Sequence, residues 1–530
     1  MNNSKLKENT FVFSTLFVIF YVLVKNAIQA PFTVEDEYNN FYWANPNHLF
    51  GPEASYLQTL FNTIEEFILQ GRLLVAHLIV IVSRAKIFGI NPTMHHWTVF
   101  LFGLGTAFFI YKLFVKASFS KINSYLGALI YISGYTYAEI FFRLSSGECT
   151  GNLFLVISIY FVVSFIKDQK NVYIYWSIIF GFIAALSKES YVILFPIIFA
   201  IPFLFIDTNQ WKSFVIQNIK YVYIIAISFL ILVLSLFLTI KSSGIVFSYG
   251  KPLSTFDTVV NNTSWIFKWF IAFMPLVIIA AFDFLRKNNI RSIVPILIFS
   301  FGWIISQLVI YNKVIISFSQ GRYMMPAGLI FIFFIVIALE HFKQYPKGYW
   351  IAFLLVFSLI IRNSKIVYIN ANEFEARATA FNNLIDKLVE KSEGKIAIYG
   401  GVEFFQSIET HFKYKNYAPQ IITTPVVYKK DFQNKYNDVN YKDKLQNDLN
   451  KLYVLKTLTD LKNDSSVNIM VTAEPEEYLP VNYDEIMKTF TKVEKVTVKF
   501  SNPGFGDLLK KDFWTGNLRN SERSYLVFTK

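Results

Sequence analysis

The amino-acid sequence predicts a polytopic α-helical membrane protein of about 11 spans, followed by an extracytoplasmic α/β or α+β domain. The composition is the first reason, since 54% of the 530 residues are hydrophobic and 16% are charged. A soluble chain carries roughly 25% charged residues. The second reason is that the apolar residues come in long runs, and a membrane helix needs about 20 of them. The third is a change from residue 363 onward to mixed polar sequence.

Eleven apolar runs define the predicted spans. The first run follows Lys5 and Lys7 but lacks an A-x-A cleavage site, so we expect an uncleaved signal anchor. The runs are Thr10–Ala30, His96–Val115, Asn123–Phe142, Thr150–Ile166, Val172–Ser187, Tyr191–Ile206, Tyr221–Ile240, Trp265–Phe284, Ile293–Val309, Tyr323–Leu339 and Tyr349–Ile361.

The segment Arg72–Ile90 decides the orientation of the later spans. Ser83, Arg84 and Lys86 interrupt its apolar run, so it is either a twelfth span or a helix in the membrane interface. With an interfacial helix, the short loops and span ends place 12 Lys and Arg residues on one side and 6 on the other, which favours that interpretation. Because positive residues favour the cytoplasmic side, the N-terminus is predicted inside and the C-terminus outside a cell membrane.

The net charge of +13 belongs almost entirely to the membrane part. Residues 363–530 contain 24 basic and 22 acidic residues, which leaves +11 for residues 1–362. Orientation accounts for much of this excess, so no nucleic-acid partner is expected. The single cysteine, Cys149, excludes an intramolecular disulfide framework and a cysteine-based metal site. High Lys, Asn, Ile and Tyr usage favours a bacterial source.

Two domains are therefore expected. Residues 1–362 form a membrane domain that includes a first outer loop at 31–95, and residues 363–530 form a soluble outer domain. In the latter, Asn372–Lys391 has helical spacing and is followed by Gly394. Five β-rich runs predict strands. They lie at 395–401, 420–428, 467–473, 495–500 and 524–528.

The first outer loop carries three consecutive carboxylates, Glu35, Asp36 and Glu37, close to the first span. Neighbouring like charges and a low dielectric raise the pKa of a carboxyl group, which suits a general base. Carboxylate oxygens also suit a divalent cation, so Asp36 and Glu37 are the candidate ligands of any metal. A solvated acidic loop is the third interpretation. After the carboxylates, the spacing at 53–71 predicts an amphipathic interfacial helix.

Basic residues at the outer ends of spans form a second candidate group. Arg143, Lys188 and Arg322 lie there, and Tyr323 follows Arg322. Such cations can bind a phosphate or diphosphate, and arginine can do so with two hydrogen bonds. Singly, each is better explained by pairing with a nearby carboxylate or by reaching into the interface. Their position together on the side that carries the acidic cluster favours anion binding.

Four motifs together resemble the GT-C superfamily of membrane glycosyltransferases, such as protein O-mannosyltransferases and the lipid A aminoarabinose transferase. They are "DE" at Asp36–Glu37, "GRLLVAHLIVIVSRAKIFGINP" at 71–92, "LSKES" at 186–190 and "GRYMMP" at 321–326. There are departures from the family patterns. Tyr38 follows the acidic pair where aminoarabinose-transferase relatives have Arg, and Arg72 stands where the mannosyltransferases have Lys.

The resemblance covers about residues 10–340 and implies a GT-C fold and a sugar transfer. The donor would be a polyprenyl-phosphate-linked sugar, and the acceptor a hydroxyl on a glycan, lipid or protein at the outer face. Asp36 would act as general base, with Glu37 in support. The substrate would contact Glu35, Arg72, Arg143, Lys188, Arg322 and Tyr323. Direct displacement would invert the anomeric carbon.

Two other functions are compatible with this sequence. A transporter or flippase of lipid-linked glycans would have charges deep within spans and broken helices. A polysaccharide polymerase would share the outer arginines. The acidic loop followed by interfacial helices favours the transferase.

Overall fold

The structure is a computed structural model of the whole chain. It describes residues 3–33, 53–69, 71–144, 146–204, 206, 208–243, 255–287, 299–305, 308, 322–323, 325–391, 395–399, 407–408, 411–412, 415, 420–423, 454–455, 467, 469–473, 486–488, 490–503 and 520–530.

Helices dominate the described part of the first 391 residues. Short 3₁₀ segments at Tyr135–Phe141, Ile201–Leu204, Thr208–Gln210 and Ile271–Phe273 join some of them. The α-helices are α1 (Asn3–Gln29), α2 (Tyr56–Leu69), α3 (Val75–Phe88), α4 (Pro92–Lys116), α5 (Lys121–Ile132), α6 (Gly147–Asp168), α7 (Asn171–Ala185), α8 (Ser190–Ile198), α9 (Trp211–Gln217), α10 (Ile219–Ser243), α11 (Thr255–Phe270), α12 (Met274–Lys287), α13 (Met325–Phe342) and α14 (Pro346–Lys391).

Among the described residues, six helices are long and apolar enough to cross a membrane: α1, α4, α6, α10, α13 and α14. Three predicted spans are not continuous α-helices. The run 123–142 changes from α-helix to 3₁₀ after Ser133 and Gly134, and the run 191–206 does so before Pro202, which lacks a backbone donor. The run 265–284 breaks at Ile271–Phe273. The total of about 11 spans therefore stays a prediction.

Aromatic side chains pack the centre of the bundle. The ring of Phe20 lies 4.9 Å from that of Phe100 and 4.8 Å from that of Phe141, centroid to centroid. A β-carbon added at Gly103 would lie 3.0 Å from the Phe20 ring, so this glycine allows the close approach of α1 and α4. Phenylalanine side chains thus join α1, α4 and the 3₁₀ segment Tyr135–Phe141 into one apolar core.

Helices α2 and α3 correspond to the predicted interfacial segments. Each has 14 residues, which is roughly 21 Å of helix and too short for a hydrocarbon core of about 30 Å. In α2 the polar Thr59 and Thr63 are buried, while the apolar Leu57 and Phe61 are exposed. Part of the apolar surface therefore points away from the bundle, as in a helix that contacts lipid, while Phe67 packs on Ile81 and Ala85 of α3.

The outer domain contains a six-stranded mixed sheet in the order β3-β2-β1-β4-β6-β5. Neighbours among β1 to β4 are parallel, and β6 runs antiparallel to β4 and β5. All five predicted strands are present, and the short β3 is an addition. The strands are β1 (Lys395–Tyr399), β2 (Gln420–Thr423), β3 (Val454–Leu455), β4 (Ile469–Ala473), β5 (Lys492–Phe500) and β6 (Ser521–Thr529).

Helical layers cover both faces of this sheet. One face, including Ile396 and Val471, packs on α14 and on the helical residues near Phe412. The other face, including Met470 and Phe528, packs on residues near Ile486. The outer domain therefore has an apolar core separate from that of the bundle.

Helix α14 joins the bundle to the outer domain without a break. The sequence predicts a span that ends at Ile361 and a new helix from Asn372, whereas a single helix runs from Pro346 to Lys391. No Gly or Pro interrupts residues 349–391, so the backbone hydrogen bonds continue. The proposed domain boundary at residues 362 and 363 lies inside this helix.

We expect the outer domain to lose stability in acid because of His411. Burial lowers the pKa of His411 to about 4, whereas the ordinary pKa of a histidine side chain is 6.5. Between these values the unfolded chain binds more protons than the folded one, so lowering the pH through this interval removes about 3 kcal/mol of stability. Thermal unfolding of the full protein at pH 7 and pH 4.5 measures this. The loss should be smaller in His411→Gln, and an equal loss in both proteins would contradict the prediction.

Candidate active site

Charged side chains from four separate segments meet at one end of the bundle. We call this the charged cluster and define it by six residues that are each buried or largely buried. They come from the 3₁₀ segment Tyr135–Phe141 and the loop after it, the start of α6, the turn between α7 and α8, and positions 322 and 323 shortly before α13. The members are Glu139, Arg143, Glu148, Lys188, Arg322 and Tyr323.

Glu139 joins the two arginines of the cluster. Its Oε2 atom lies 3.0 Å from Nη1 of Arg322 and 3.4 Å from Nε of Arg143. Glu139 and Arg143 are four residues apart, so the helical geometry of this segment brings them together. Arg322 comes from a distant part of the chain. Only 6% of this residue is exposed to solvent.

Glu148 organises the other half of the cluster. Its Oε1 atom lies 3.2 Å from Nζ of Lys188, and its Oε2 atom accepts a 2.7 Å hydrogen bond from the Ser146 hydroxyl. Glu148 is the second residue of α6, where a carboxylate also interacts favourably with the helix dipole. Because Glu148 is 1% exposed and Lys188 is 8% exposed, their attraction is weakly screened by water.

Tyr323 connects the two halves. Lys188 Nζ lies 5.0 Å and Arg322 Cζ lies 4.9 Å from the centre of its ring, both over the aromatic face. These two cationic centres are thus no more than about 10 Å apart. The cluster contains three cations and two carboxylates, which gives it a formal excess of one positive charge. Such a site can bind an anion and stabilise negative charge that develops during a reaction.

Arg72 lies beside the cluster. Its Nε atom is 3.4 Å from Oε1 of Glu189, the residue after Lys188. The preceding Gly71 has a φ of 75°, a left-handed conformation that favours glycine. The start of α3 is tied to the same turn, since the Ala76 amide donates to the Leu186 carbonyl over 3.0 Å. The interfacial segment and the α7–α8 turn are therefore held together.

Gly147 permits the approach that brings Glu148 to Lys188. A β-carbon at this position would lie 2.4 Å from the Ser187 carbonyl oxygen, closer than real atoms approach. The first turn of α6 therefore packs directly on the backbone of the α7–α8 turn. Tyr191 extends this contact, because its hydroxyl hydrogen-bonds to Asn152 of α6.

We expect Gly147→Ala to separate Glu148 from Lys188 and to lower the thermal stability of the protein. Any activity of the site should fall about tenfold or more, because small displacements of active-site groups lower the reaction rate strongly. Gly302→Ala is a suitable control because nothing lies within 4 Å of a β-carbon built there. Melting temperature and turnover of both variants check this. Equal behaviour of the two variants would show that the close contact at Gly147 is not required.

The structure brings together Arg143, Lys188, Arg322 and Tyr323, and it places Arg72 next to them. Glu35, Asp36 and Glu37 lie outside the described residues, so their roles remain predictions. Sequence reasoning missed Glu139 and Ser146. Glu139 had a signal, since it is a carboxylate inside the predicted span 123–142, and charges within spans often mark functional sites. Ser146 had none.

Within the part of the chain that the structure describes, no three His, Cys, Asp or Glu side chains are grouped as metal ligands. The candidate ligands Asp36 and Glu37 are not among these residues. A divalent cation at that position therefore stays an untested expectation.

Comparisons with known proteins agree on the class of this chain. The family described as dolichyl-phosphate-mannose-protein mannosyltransferase matches residues 73–237, a range that contains Glu139, Arg143, Glu148 and Lys188. No curated protein matches the chain.

The fold is similar to that of ArnT from Cupriavidus metallidurans. The apo crystal structure of ArnT aligns with a TM-score of 0.52 at 9% identity, covering 99% of this chain and 98% of ArnT. The structure of ArnT bound to undecaprenyl phosphate aligns with a TM-score of 0.47 at 10% identity, covering 98% and 97%. The family match over residues 73–237 and the ArnT-like fold support a membrane glycosyltransferase of the GT-C superfamily.

Proposed function

We propose that the protein transfers a sugar from a polyprenyl-phosphate donor to an acceptor hydroxyl at the outer face of the membrane, with inversion at the anomeric carbon. The observation that carries the proposal is the excess of buried positive charge in the charged cluster. A lipid-linked phosphate needs such a site close to the bilayer, and the matched family is named for a dolichyl-phosphate donor. The acceptor is a hydroxyl of a glycan, a lipid or a protein.

In the proposed reaction the acceptor oxygen attacks the anomeric carbon. The bond between that carbon and the phosphate oxygen breaks, and its electron pair leaves with the polyprenyl phosphate. Arg322 and Lys188 stabilise the charge that grows on this phosphate, while Arg143 contributes to the same field. Tyr323 positions Arg322 and Lys188 by contact with both.

The acceptor proton passes to a general base, for which Asp36 is the candidate. Glu35 and Glu37 lie on either side of it, and Glu37 supports the site or binds a divalent cation. Arg72 orients the α7–α8 turn through Glu189 and contacts substrate. This arrangement requires residues 1–362 to form the catalytic domain, the N-terminus to be cytoplasmic, and residues 363–530 to be extracytoplasmic.

Purified protein in liposomes provides the test. We would supply mannose, glucose and 4-amino-arabinose, each radiolabelled and linked to undecaprenyl phosphate, with a membrane extract of the source cell as acceptor. The expected result is label in the acceptor together with free undecaprenyl phosphate. Movement of intact labelled lipid between leaflets without release of undecaprenyl phosphate would instead support the flippase alternative and overturn the transferase.

A further inference from the structure

The chain enters the first outer loop through a residue that is fixed on several sides. Phe32 is 1% exposed, and its ring belongs to a small apolar cluster with Val99, Leu144 and Cys149. Two of these neighbours adjoin the charged cluster, because Leu144 follows Arg143 and Cys149 follows Glu148. The side chain of Phe32 therefore fixes the start of the loop relative to the candidate active site.

The backbone of Phe32 is held by a hydrogen bond from α14. The Asn382 side chain donates a 2.7 Å hydrogen bond to the Phe32 carbonyl oxygen, and it also donates to the Ala378 carbonyl over 2.9 Å. The second bond keeps the amide group directed along its own helix. The imidazole of His411, from the outer domain, also interacts with the Phe32 backbone.

A second tie between α1 and α14 lies about three helical turns away along α14. The Asn26 side chain in α1 donates to the side chain of Asn372 in α14, and Asn372 donates to the Ser501 carbonyl after β5 over 3.1 Å. The end of α1 is thus bound to α14 and, through it, to the sheet. Asn26 lies near the end of α1 and Phe32 lies just after it, while Asn372 and Asn382 both lie in α14.

We propose that Asn382 is a positioning residue that anchors the root of the acidic loop to the outer domain. This inference rests on the proposed function, since it gives Asp36 a role in the reaction. Asp36 follows Phe32 by four residues, a chain length of at most about 14 Å. A carbonyl fixed at Phe32 therefore limits where the carboxylates can lie, and small errors of placement cost large factors in rate.

Two variants and one matched control test the proposal in the full-length protein. Asn382→Ala removes the donor, and Asn382→Asp keeps the shape but faces the Phe32 carbonyl with an oxygen. Asn383→Ala is the control, because Asn383 is the neighbouring asparagine of α14 and is exposed. With undecaprenyl-phosphate-linked sugar as the donor, we expect kcat to fall about tenfold in both Asn382 variants. KM for the donor should not change, since the described contacts of Asn382 lie outside the charged cluster.

Amide hydrogen exchange of the peptide around residues 30–34 is the second measurement, and it does not depend on activity. We expect faster exchange in both Asn382 variants and wild-type exchange in Asn383→Ala. Unchanged exchange would overturn the anchor, and faster exchange with unchanged kcat would overturn its positioning role. If the wild-type protein transfers no sugar from any donor, the proposed function fails, while the exchange comparison still decides whether Asn382 anchors the loop.

Discussion

Asp36→Asn is expected to lower the rate of sugar transfer by about 1,000-fold, because proton transfer by a placed side chain contributes roughly 10²- to 10⁴-fold. The substitution keeps the size of the side chain and removes its ability to accept the acceptor proton. The measurement is the release of undecaprenyl phosphate by purified protein. Glu53→Gln is the control, since Glu53 is an exposed carboxylate of the same loop.

Two further comparisons separate the possible roles of Asp36. If Asp36 is a base alone, EDTA leaves the wild-type rate unchanged. If it binds a divalent cation, EDTA lowers that rate and added Mg²⁺ or Mn²⁺ restores it. Transfer by Asp36→Asn at the wild-type rate would remove Asp36 from the mechanism, and the charged cluster would then have to act with another base.

Arg322→Met is expected to lower kcat by about 100-fold, in the range found when one donor to a developing negative charge is removed. Methionine fills a similar volume without a charge, so the change tests electrostatics rather than packing. The comparison is again undecaprenyl phosphate release, measured at saturating donor. Arg322→Lys should lose less, because lysine keeps the charge but not the paired donors of the guanidinium.

A structural role for Arg322 must be separated from this catalytic one, since Arg322 also neutralises Glu139 at 3.0 Å. Leaving that carboxylate without a partner would destabilise the fold. The double variant Glu139→Gln with Arg322→Met removes both charges, and Glu139→Gln alone measures the effect of removing the carboxylate that also lies beside Arg143. If Arg322 serves only Glu139, the double variant recovers near wild-type kcat. If Arg322 stabilises the leaving phosphate, the double variant regains stability and stays slow.

The sequence places Arg143, Lys188 and Arg322 at matching ends of their predicted spans, and the structure brings them together at one end of the bundle. Apolar runs predict the number of spans and positive charges predict their direction, and both stay predictions. The pairing of these residues was not predictable, because it depends on which helices pack together. The contact of Lys188 with Glu148, for example, follows from the bare backbone at Gly147, which no periodicity reveals.

In the outer domain, too, some features were predictable from the sequence and others were not. Runs rich in β-branched and aromatic residues located the strands, because these residues favour strands. Strand order was not predictable, since the pairing of β4 with β6 joins residues about 50 to 60 positions apart. The continuity of α14 was also missed, because its sequence changes from apolar to mixed polar near Arg362 while the backbone stays helical.

The 46 residues of α14 give it a length of roughly 69 Å, about twice the thickness of a hydrocarbon core. A helix of this kind behaves as a stiff rod, with no proline or glycine after Tyr349 at which it could hinge. A torque applied to the outer domain would therefore reach the bundle instead of being absorbed by a linker. We therefore expect the two parts to tilt and rotate together.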